Sequence, residues 1–351
     1  TVQTGGVLSL FSPGSVLAMG PGATANSTNL PNLQNIDYNY HIRGWLQGVN
    51  SNINTSEADL FGLSLDFETA SQYNGNIGRQ SWTYGGNTRS YTYSYDSADR
   101  LNEANYTGPN NENFSLSNIS YDANGNIKTL HRNGFLATGF GTIDQLTYEY
   151  VGNRAKKIDD AITSTNTGDF KDNPIATDYT YYNNGALKSD ANKNIETIVY
   201  DNYHEKPTQI RFIDGKTIHF IYDGAGQLIR RYTGDNATIY DYTGIEYKNN
   251  VPYQMPQPEG RLYYTNNNWQ YEFEYRDSQG SLRLAYTEIN NRLTIKSTQD
   301  YDPWGWELNY QNLQNTPLNK NKWLNREKID DYGLNYQYLM ARMYDLSLIH
   351  I

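Results

Sequence analysis

The sequence contains no cysteine in its 351 residues. This absence excludes disulfide bonds, thiolate zinc sites and cysteine nucleophiles. It does not fix the cellular compartment, because secreted bacterial proteins can also lack cysteine. The stability of the fold must therefore come from the packing of side chains and from hydrogen bonds.

Long apolar runs and positive charge are also scarce. The most apolar stretch, residues 7–23, is interrupted by Pro13, Gly14 and Pro21, so it predicts neither a membrane span nor a signal peptide. The net charge of −10 would repel a polyanion, which disfavours nucleic-acid binding. Because the chain starts with Thr1 rather than methionine, we expect an internal segment whose export signal lies elsewhere.

Tyrosine and glycine are abundant, with 33 and 29 residues. Tyrosine favours strands, since its ring is apolar and its hydroxyl is polar. Glycine and asparagine adopt the positive φ angles that tight turns need. This composition predicts many short strands that are joined by tight turns.

One unit recurs along the chain: an alternating aromatic strand, a Tyr-Asp pair, a Gly/Asn turn and an apolar residue that opens a return strand. Clear copies occupy Tyr95–Leu101, Tyr121–Ile127 and Tyr222–Leu228, and degenerate copies begin at Tyr150, Tyr182 and Tyr200. Two strands of about six residues with their turns fill roughly 20 residues, so each repeat predicts about one hairpin.

Alternation is strict within the strands of these units. Tyr91, Tyr93 and Tyr95 share one face, as a strand requires and a helix would not. In the hairpin that turns at Asp277–Gly280, the aromatic residues are predicted to face the core and the polar residues the other side. The aromatic set is Tyr271, Phe273 and Tyr275, and the polar set is Gln270, Glu272, Glu274 and Arg276.

The turns have a predictable chemistry. The aspartate after each tyrosine can accept hydrogen bonds from backbone N–H groups of the turn. Asn-Gly at 124–125 and 184–185 favours a type I′ turn. The structural turn residues that we predict are Tyr95, Asp96, Tyr121, Asp122, Gly125, Tyr222, Asp223, Gly226, Asp277 and Gly280.

The ordered copies of Tyr-Asp-x-x-Gly-x-Leu/Ile resemble the YD repeats of the Rhs and wall-associated protein family. Residues 40–46, 59–62 and 73–77 resemble the lead-in of one bacterial branch, and residues 276–283, 301–305 and 324–345 resemble the Rhs-associated core. Ser278, Ser281, Asn325 and Arg326 depart from the family pattern, which weakens the placement in a subfamily. The core motif residues are Asp302, Pro303, Gly305, Asp331, Gly333, Arg342, Tyr344 and Asp345.

The resemblance implies an all-β fold of tandem hairpins in one continuous curved sheet, wound as a shell or partial β-cocoon. In relatives the shell holds a toxic C-terminal domain, which an aspartyl protease cuts loose. The residues that cut lie in an Asp-Pro-x-Gly-Leu stretch beyond the Ala-Arg-x-Tyr-Asp motif. Since the resemblance stops at Asp345, we assign no catalytic residue and expect no enzyme activity. The implied partners are the chain's own C-terminal effector domain, an immunity protein and secretion machinery, at a secreted or cell-surface location.

The motifs divide the chain into four predicted segments: an irregular lead-in at 1–35, a YD-repeat strip at 36–265, a core segment of the same sheet at 266–345, and a tail at 346–351. The tail, Leu-Ser-Leu-Ile-His-Ile, matches the translation of a transposase adapter used in sequencing libraries. We interpret it as an assembly artefact.

No cofactor or metal site is predicted. Gly215-Lys216-Thr217 lacks the earlier glycine of a P-loop, and the five histidines are scattered. Asp330 and Asp331 are predicted to serve a turn or a salt bridge to Arg326 or Lys328. Two alternatives remain: a cell-surface adhesion module, with carbohydrate binding by the aromatic residues, and a glycan-active enzyme, which would require clustered carboxylates.

Overall fold

The computed structural model describes residues 8–10, 34–51, 53, 59–68, 72–162, 170–289, 292–308, 310, 312–315, 317–340 and 342–347. Among these residues there is no α-helix, and strands predominate. Three 3-10 turns occur in the described ranges, at Pro109–Asn111, Trp323–Asn325 and Asp331–Gly333. No helix of the described chain is long and apolar enough to cross a membrane.

The chain forms two compact units. The first comprises Thr1–Ser115 and Tyr286–Lys296, and the second comprises Leu116–Ala285 and Ser297–Ile351. In the first unit, β1 (Leu8–Leu10) pairs with β2 (Gln34–Ile36). Six further strands of this unit pair in chain order, each antiparallel to the next: β3 (Tyr38–Tyr40), β4 (Leu46–Val49), β5 (Phe61–Asp66), β6 (Arg79–Tyr84), β7 (Asn87–Tyr95) and β8 (Leu101–Thr107).

The second unit continues the same chain-ordered pairing. It opens with β9 (Leu116–Tyr121), β10 (Ile127–Leu136), β11 (Gly139–Val151) and β12 (Arg154–Asp160). A sheet of thirteen strands follows, and the tip of its last hairpin is counted with the first unit. Its strands are β13 (Tyr179–Tyr181), β14 (Leu187–Asp190), β15 (Ile195–Tyr200), β16 (Pro207–Phe212), β17 (Thr217–Tyr222), β18 (Leu228–Thr233), β19 (Ile239–Thr243), β20 (Ile245–Lys248), β21 (Val251–Gln257), β22 (Gly260–Thr265), β23 (Asn268–Arg276), β24 (Leu282–Ile289) and β25 (Arg292–Thr298).

A small antiparallel sheet ends the second unit. It contains β26 (Lys328–Ile329), β27 (Tyr336–Tyr338) and β28 (Met343–Asp345) in chain order. These residues belong to the predicted core segment.

The core of each unit follows from cross-strand pairs on one face of the sheet. In the second unit, Ile198, Ile210 and Ile218 lie opposite one another on β15, β16 and β17, and all three are buried. In the first unit, Tyr91 lies opposite Tyr106, with ring centroids 5.1 Å apart in an edge-to-face contact. Such pairs are the stabilising unit of an antiparallel sheet.

The predicted all-β class and its tandem hairpins are confirmed. The prediction of a single continuous sheet differs from the structure, because β12 and β13 of the second unit belong to separate sheets. The intervening chain contains Pro174, which has no N–H to donate to a ladder. Asp178 connects the two sheets, since its N–H donates to the Lys156 carbonyl at 2.9 Å and its Oδ2 accepts a hydrogen bond from the Ile158 N–H at 2.7 Å.

The four predicted segment boundaries remain predictions. Most of the predicted lead-in lies outside the described residues. Of the predicted tail, Leu346 and Ser347 are described and the last four residues are not.

Candidate functional site

A turn built around an aspartate recurs through both units. At each copy the aspartate Oδ1 accepts the backbone N–H groups of the residues two and four positions later, at 2.8–3.0 Å. The carboxylate thereby binds backbone donors that the sheet leaves without a partner. The copies are centred on Asp96, Asp122, Asp223, Asp277 and Asp302.

These turns are three-residue loops that end in a left-handed residue. The aspartate N–H donates to the carbonyl four residues later, and φ is positive at the fourth residue of the turn, as at Gly125 (88°) and Gly226 (75°). Asn124 and Asn184 do not have positive φ, so the predicted type I′ turns at these positions are wrong. The geometry is a type I turn with a G1 bulge, which places three residues between the strands. Two-residue turns with φ positive at both positions occur instead at Gly85–Gly86, Asn249–Asn250 and Asn266–Asn267.

Comparing two glycines of this turn distinguishes the cost of a positive φ angle from the cost of steric crowding by a side chain. Gly125 and Gly305 both have positive φ, but a Cβ at Gly125 would meet nothing within 4 Å, whereas one at Gly305 would lie 2.2 Å from Trp323 Cε2. We expect Gly125→Ala to lower the free energy of unfolding by about 1 kcal/mol and Gly305→Ala by about 2–3 kcal/mol. Urea denaturation of both variants measures the difference, and equal losses would contradict the crowding at Trp323.

The tyrosine immediately before a turn links its hairpin to the preceding one. Tyr95, Tyr181, Tyr200 and Tyr222 each donate their hydroxyl to a backbone carbonyl at or near the start of the preceding return strand. The acceptors are Ile77, Ala155, Leu187 and Pro207, at 2.8–2.9 Å.

Burial raises the pKa of Tyr95, Tyr181 and Tyr200 to about 12. In the degenerate copy near residue 182, the linking tyrosine is Tyr181, and Tyr182 takes the aspartate position. The repeat thus requires tyrosine rather than phenylalanine, because the hydroxyl carries the link.

Removing one such hydroxyl tests the link. Tyr200→Phe leaves the half-buried ring in place but deprives the Leu187 carbonyl of its donor, so we expect a loss of about 1–2 kcal/mol in the free energy of unfolding. Tyr203→Phe is the matched control, since the Tyr203 side chain is 85% exposed. Thermal denaturation of the two variants should show a lower melting temperature for Tyr200→Phe only.

Residues 312–315, 317–340 and 342–347, here named the covering segment, lie on the sheet of the second unit. Arg261 donates to the carbonyls of Pro317 at 2.7 Å and Leu318 at 3.1 Å, and the Tyr253 hydroxyl also donates to Leu318 at 2.5 Å. Arg276 donates to the Asn321 carbonyl at 3.1 Å. The sheet therefore binds the main chain of an irregular polypeptide by side-chain donors.

This contact buries the strand face that the sequence predicted to be polar. Glu272 is fully buried, where it pairs with Arg261 at 2.8 Å and accepts from Asn315 at 2.5 Å. Glu274 accepts from Asn319 at 2.6 Å. Alternation had placed Glu272 and Glu274 away from the core, and the covering segment turns that side into a second buried layer.

A second group of charges anchors the covering segment further along the sheet. Arg231 of β18 pairs with Glu327 at 2.9 Å and with Asp331, while Lys320 pairs with Glu246 at 2.9 Å. Burial opposes the ionisation of Glu327, but Lys320 and Arg231 outweigh it and hold its pKa below the usual value. The predicted turn at Asp331 is present, but its ion pair is with Arg231 and not with Arg326 or Lys328.

The predicted core motif residues are distributed over this region. Asp302 is buried at the start of its turn, with Pro303 and Gly305 in the same turn. Burial raises the pKa of Asp302 to about 6. Asp331 and Gly333 lie in the 3-10 turn, and the exposed Arg342 immediately precedes β28. Tyr344 and Asp345 belong to β28, where Tyr344 stacks on Trp323 at 5.4 Å and Asp345 is buried.

Sequence reasoning missed the buried basic residues of this site, Arg231, Arg261 and Lys320. The sequence did contain an indication that Arg231 is buried. Arg230 and Arg231 are adjacent on one strand, so their side chains must point to opposite faces of the sheet, and one of them must point toward the core. Among the residues that the structure describes, no group of three or more His, Asp or Glu side chains could hold a metal ion.

The chain matches no family model and no curated protein sequence. The solved structures that are similar to it include three with a TM-score of 0.36. One is the Tc holotoxin pore of Photorhabdus luminescens with a TccC3 variant, at 11% identity over 93% of this chain and 20% of that chain. A second is TcdB2-TccC3, at 13% identity over 93% of this chain and 21% of that chain. A third is TcdB2-TccC3-TEV, at 13% identity over 90% of this chain and 20% of that chain. This chain spans about a fifth of the length of those chains.

Proposed function

We propose that this chain is a wall segment of a bacterial shell of the Rhs and YD-repeat type, which encloses or presents another polypeptide. The role is physical, since the wall sequesters an effector domain and needs no chemistry of its own. The partners that we propose are this effector domain, an immunity protein and secretion machinery, at a secreted or cell-surface location.

The contact between the sheet and the covering segment carries the proposal. Arg261, Tyr253 and Arg276 bind backbone carbonyls of that segment. Every polypeptide has such carbonyls, whatever its sequence. A sheet that displays these donors can hold an irregular chain without a defined sequence, as a wall around an unfolded effector requires.

The repeat supports the same role. Within each sheet the strands are hydrogen bonded in chain order, and a tyrosine hydroxyl adds a link to the preceding hairpin. A unit that cannot bury its own face is stabilised by the next one. Further copies can therefore extend such a sheet to the size that enclosure needs.

Protease protection in the full-length natural protein tests the proposal. One epitope is placed at the C-terminus of that protein and a second in the turn at Gly85–Gly86, where added atoms would meet nothing within 4 Å. Enclosure predicts that proteinase K removes the turn epitope quickly, while the C-terminal epitope survives until urea unfolds the wall.

Loss of both epitopes at the same rate, with the wall still folded, would overturn enclosure. That result would favour a surface-displayed adhesion module. The turn epitope serves as the control, because its loss shows that the protease is active.

A further inference from the structure

A buried lysine and a buried aspartate meet at the end of the covering segment. Lys193 lies in the turn between β14 and β15, and Asp345 is the last residue of β28. Lys193 Nζ is 3.2 Å from Asp345 Oδ2, and the two side chains are 12% and 1% exposed. An amine and a carboxyl group at this distance, both largely removed from solvent, are close enough for a bond between Nζ and Cγ to be considered.

The two oxygens of Asp345 have different surroundings. Oδ1 accepts hydrogen bonds from the Ser347 N–H at 2.9 Å and from the Ser347 hydroxyl at 2.6 Å. Oδ2 is buried and has no hydrogen-bond partner, although it faces the lysine. Asp345 is therefore oriented through Oδ1, and its Oδ2 is turned toward the amine of Lys193.

Asp190 supplies a third group beside this pair. It is fully buried, its Oδ1 accepts from the Lys193 N–H at 3.1 Å, and its Oδ2 accepts from the Tyr336 hydroxyl at 3.0 Å. The Tyr336 ring lies 5.4 Å from Lys193 Nζ. Burial, and then the carboxylate of Asp345, raise the pKa of Asp190 to about 7. A group that titrates near neutral pH can both donate and accept a proton.

Lys193 and Asp345 face each other as a buried ion pair beside Asp190, and the fully buried Arg132 also acts electrostatically on Asp345. Buried charges without full pairing are costly, and so is a buried ion pair. An amide between Lys193 and Asp345 removes both charges of the pair.

We propose that Lys193 and Asp345 form an intramolecular isopeptide bond, with Asp190 as the acid and base. The Lys193 ammonium passes a proton to the Asp345 carboxylate, which leaves a neutral amine and a carboxylic acid. Nζ attacks Cγ, which places negative charge on Oδ1. Asp190 protonates the departing oxygen and takes a proton from Nζ. A C–N bond forms, a C–O bond breaks, one water leaves, and Asp190 returns to its first state.

The bond would tie the end of the covering segment to the turn between β14 and β15. The segment could then not leave this part of the sheet, even after its other contacts were lost. The inference concerns a bond within this chain, so it does not depend on the proposed wall function.

Intact mass spectrometry of the denatured full chain tests the bond. We expect a mass lower than that of the sequence by one water molecule, and a tryptic branched peptide that joins Lys193 to Asp345. A mass equal to that of the sequence would overturn the proposal. A water loss that fragmentation places elsewhere, such as a succinimide at Asp214-Gly215, would also overturn it.

Variants separate the roles of the three residues. Asp190→Asn keeps the size of the side chain but cannot exchange protons in the same way, so this variant should not form the bond. Its measured mass should equal the mass calculated from its own sequence, with no loss of water. Lys193→Arg should also lack the bond, while Lys188→Arg, at an exposed lysine, should retain it. Circular dichroism establishes whether each variant is folded. If a variant does not fold, the measured mass of the unsubstituted chain still shows whether the bond is present.

Discussion

Replacing Arg231 with methionine is expected to lower the free energy of unfolding of the second unit by about 3–5 kcal/mol. The guanidinium is 3% exposed and pairs with Glu327 and Asp331, which the variant would leave buried without this partner. Methionine keeps most of the volume of the side chain, so the loss reports on charge rather than on packing. Urea denaturation, monitored by tyrosine and tryptophan fluorescence, measures the effect.

Arg230→Met is the matched control for this prediction. Arg230 is the preceding residue on β18, its side chain is 49% exposed, and it pairs with Asp241 at 2.5 Å. An exposed pair of this kind contributes about 0–1 kcal/mol. Similar losses for the two variants would contradict a covering segment that is anchored by buried charge.

Asp302→Asn is expected to change how stability depends on pH. Burial raises the pKa of Asp302 to about 6 from an ordinary value of 3.8. Between these values the folded protein holds a proton that the unfolded chain has released, so the free energy of unfolding falls as pH rises through this window. The loss from this residue approaches about 3 kcal/mol by pH 7. Asparagine can still accept the turn N–H groups at Oδ1, and it should remove this fall.

Asp122→Asn supplies the opposite case in the same turn geometry. The side-chain hydrogen bond from Asn126, with the N–H groups of the turn, lowers the pKa of Asp122. Its contribution is therefore present at neutral pH and is lost as pH falls below its ordinary pKa. Urea midpoints from pH 2 to 8 should show the two substitutions altering the pH dependence in opposite directions, Asp302→Asn between about pH 4 and 7 and Asp122→Asn below about pH 4. A change of the same sign in both would contradict the burial of Asp302.

Local patterns predict much of this fold. Alternation at Tyr91, Tyr93 and Tyr95 defines β7, and the Tyr-Asp pairs mark where hairpins turn. These features depend on neighbours within a few residues, which the sequence displays directly. The turn type was missed because Asn-Gly by itself favours a two-residue loop, whereas three-residue loops form here both after Asp122 and after Tyr182.

The covering segment could not be predicted in the same way. Glu272 and Glu274 alternate with aromatic residues, a pattern typical of a strand with one side in water. Their burial depends on Asn315 and Asn319, which belong to an irregular segment without periodicity. Docking of such a segment is decided by tertiary contacts, and only the adjacent pair Arg230 and Arg231 gave a local sign of a charged core.

A cryo-electron microscopy reconstruction of the full-length natural protein is the most direct test of the wall function. We predict that the sheets of this chain form part of a closed boundary, with density from another polypeptide on the inner side. A reconstruction with solvent on both faces of the sheet, and the downstream polypeptide folded away from it, would contradict the account.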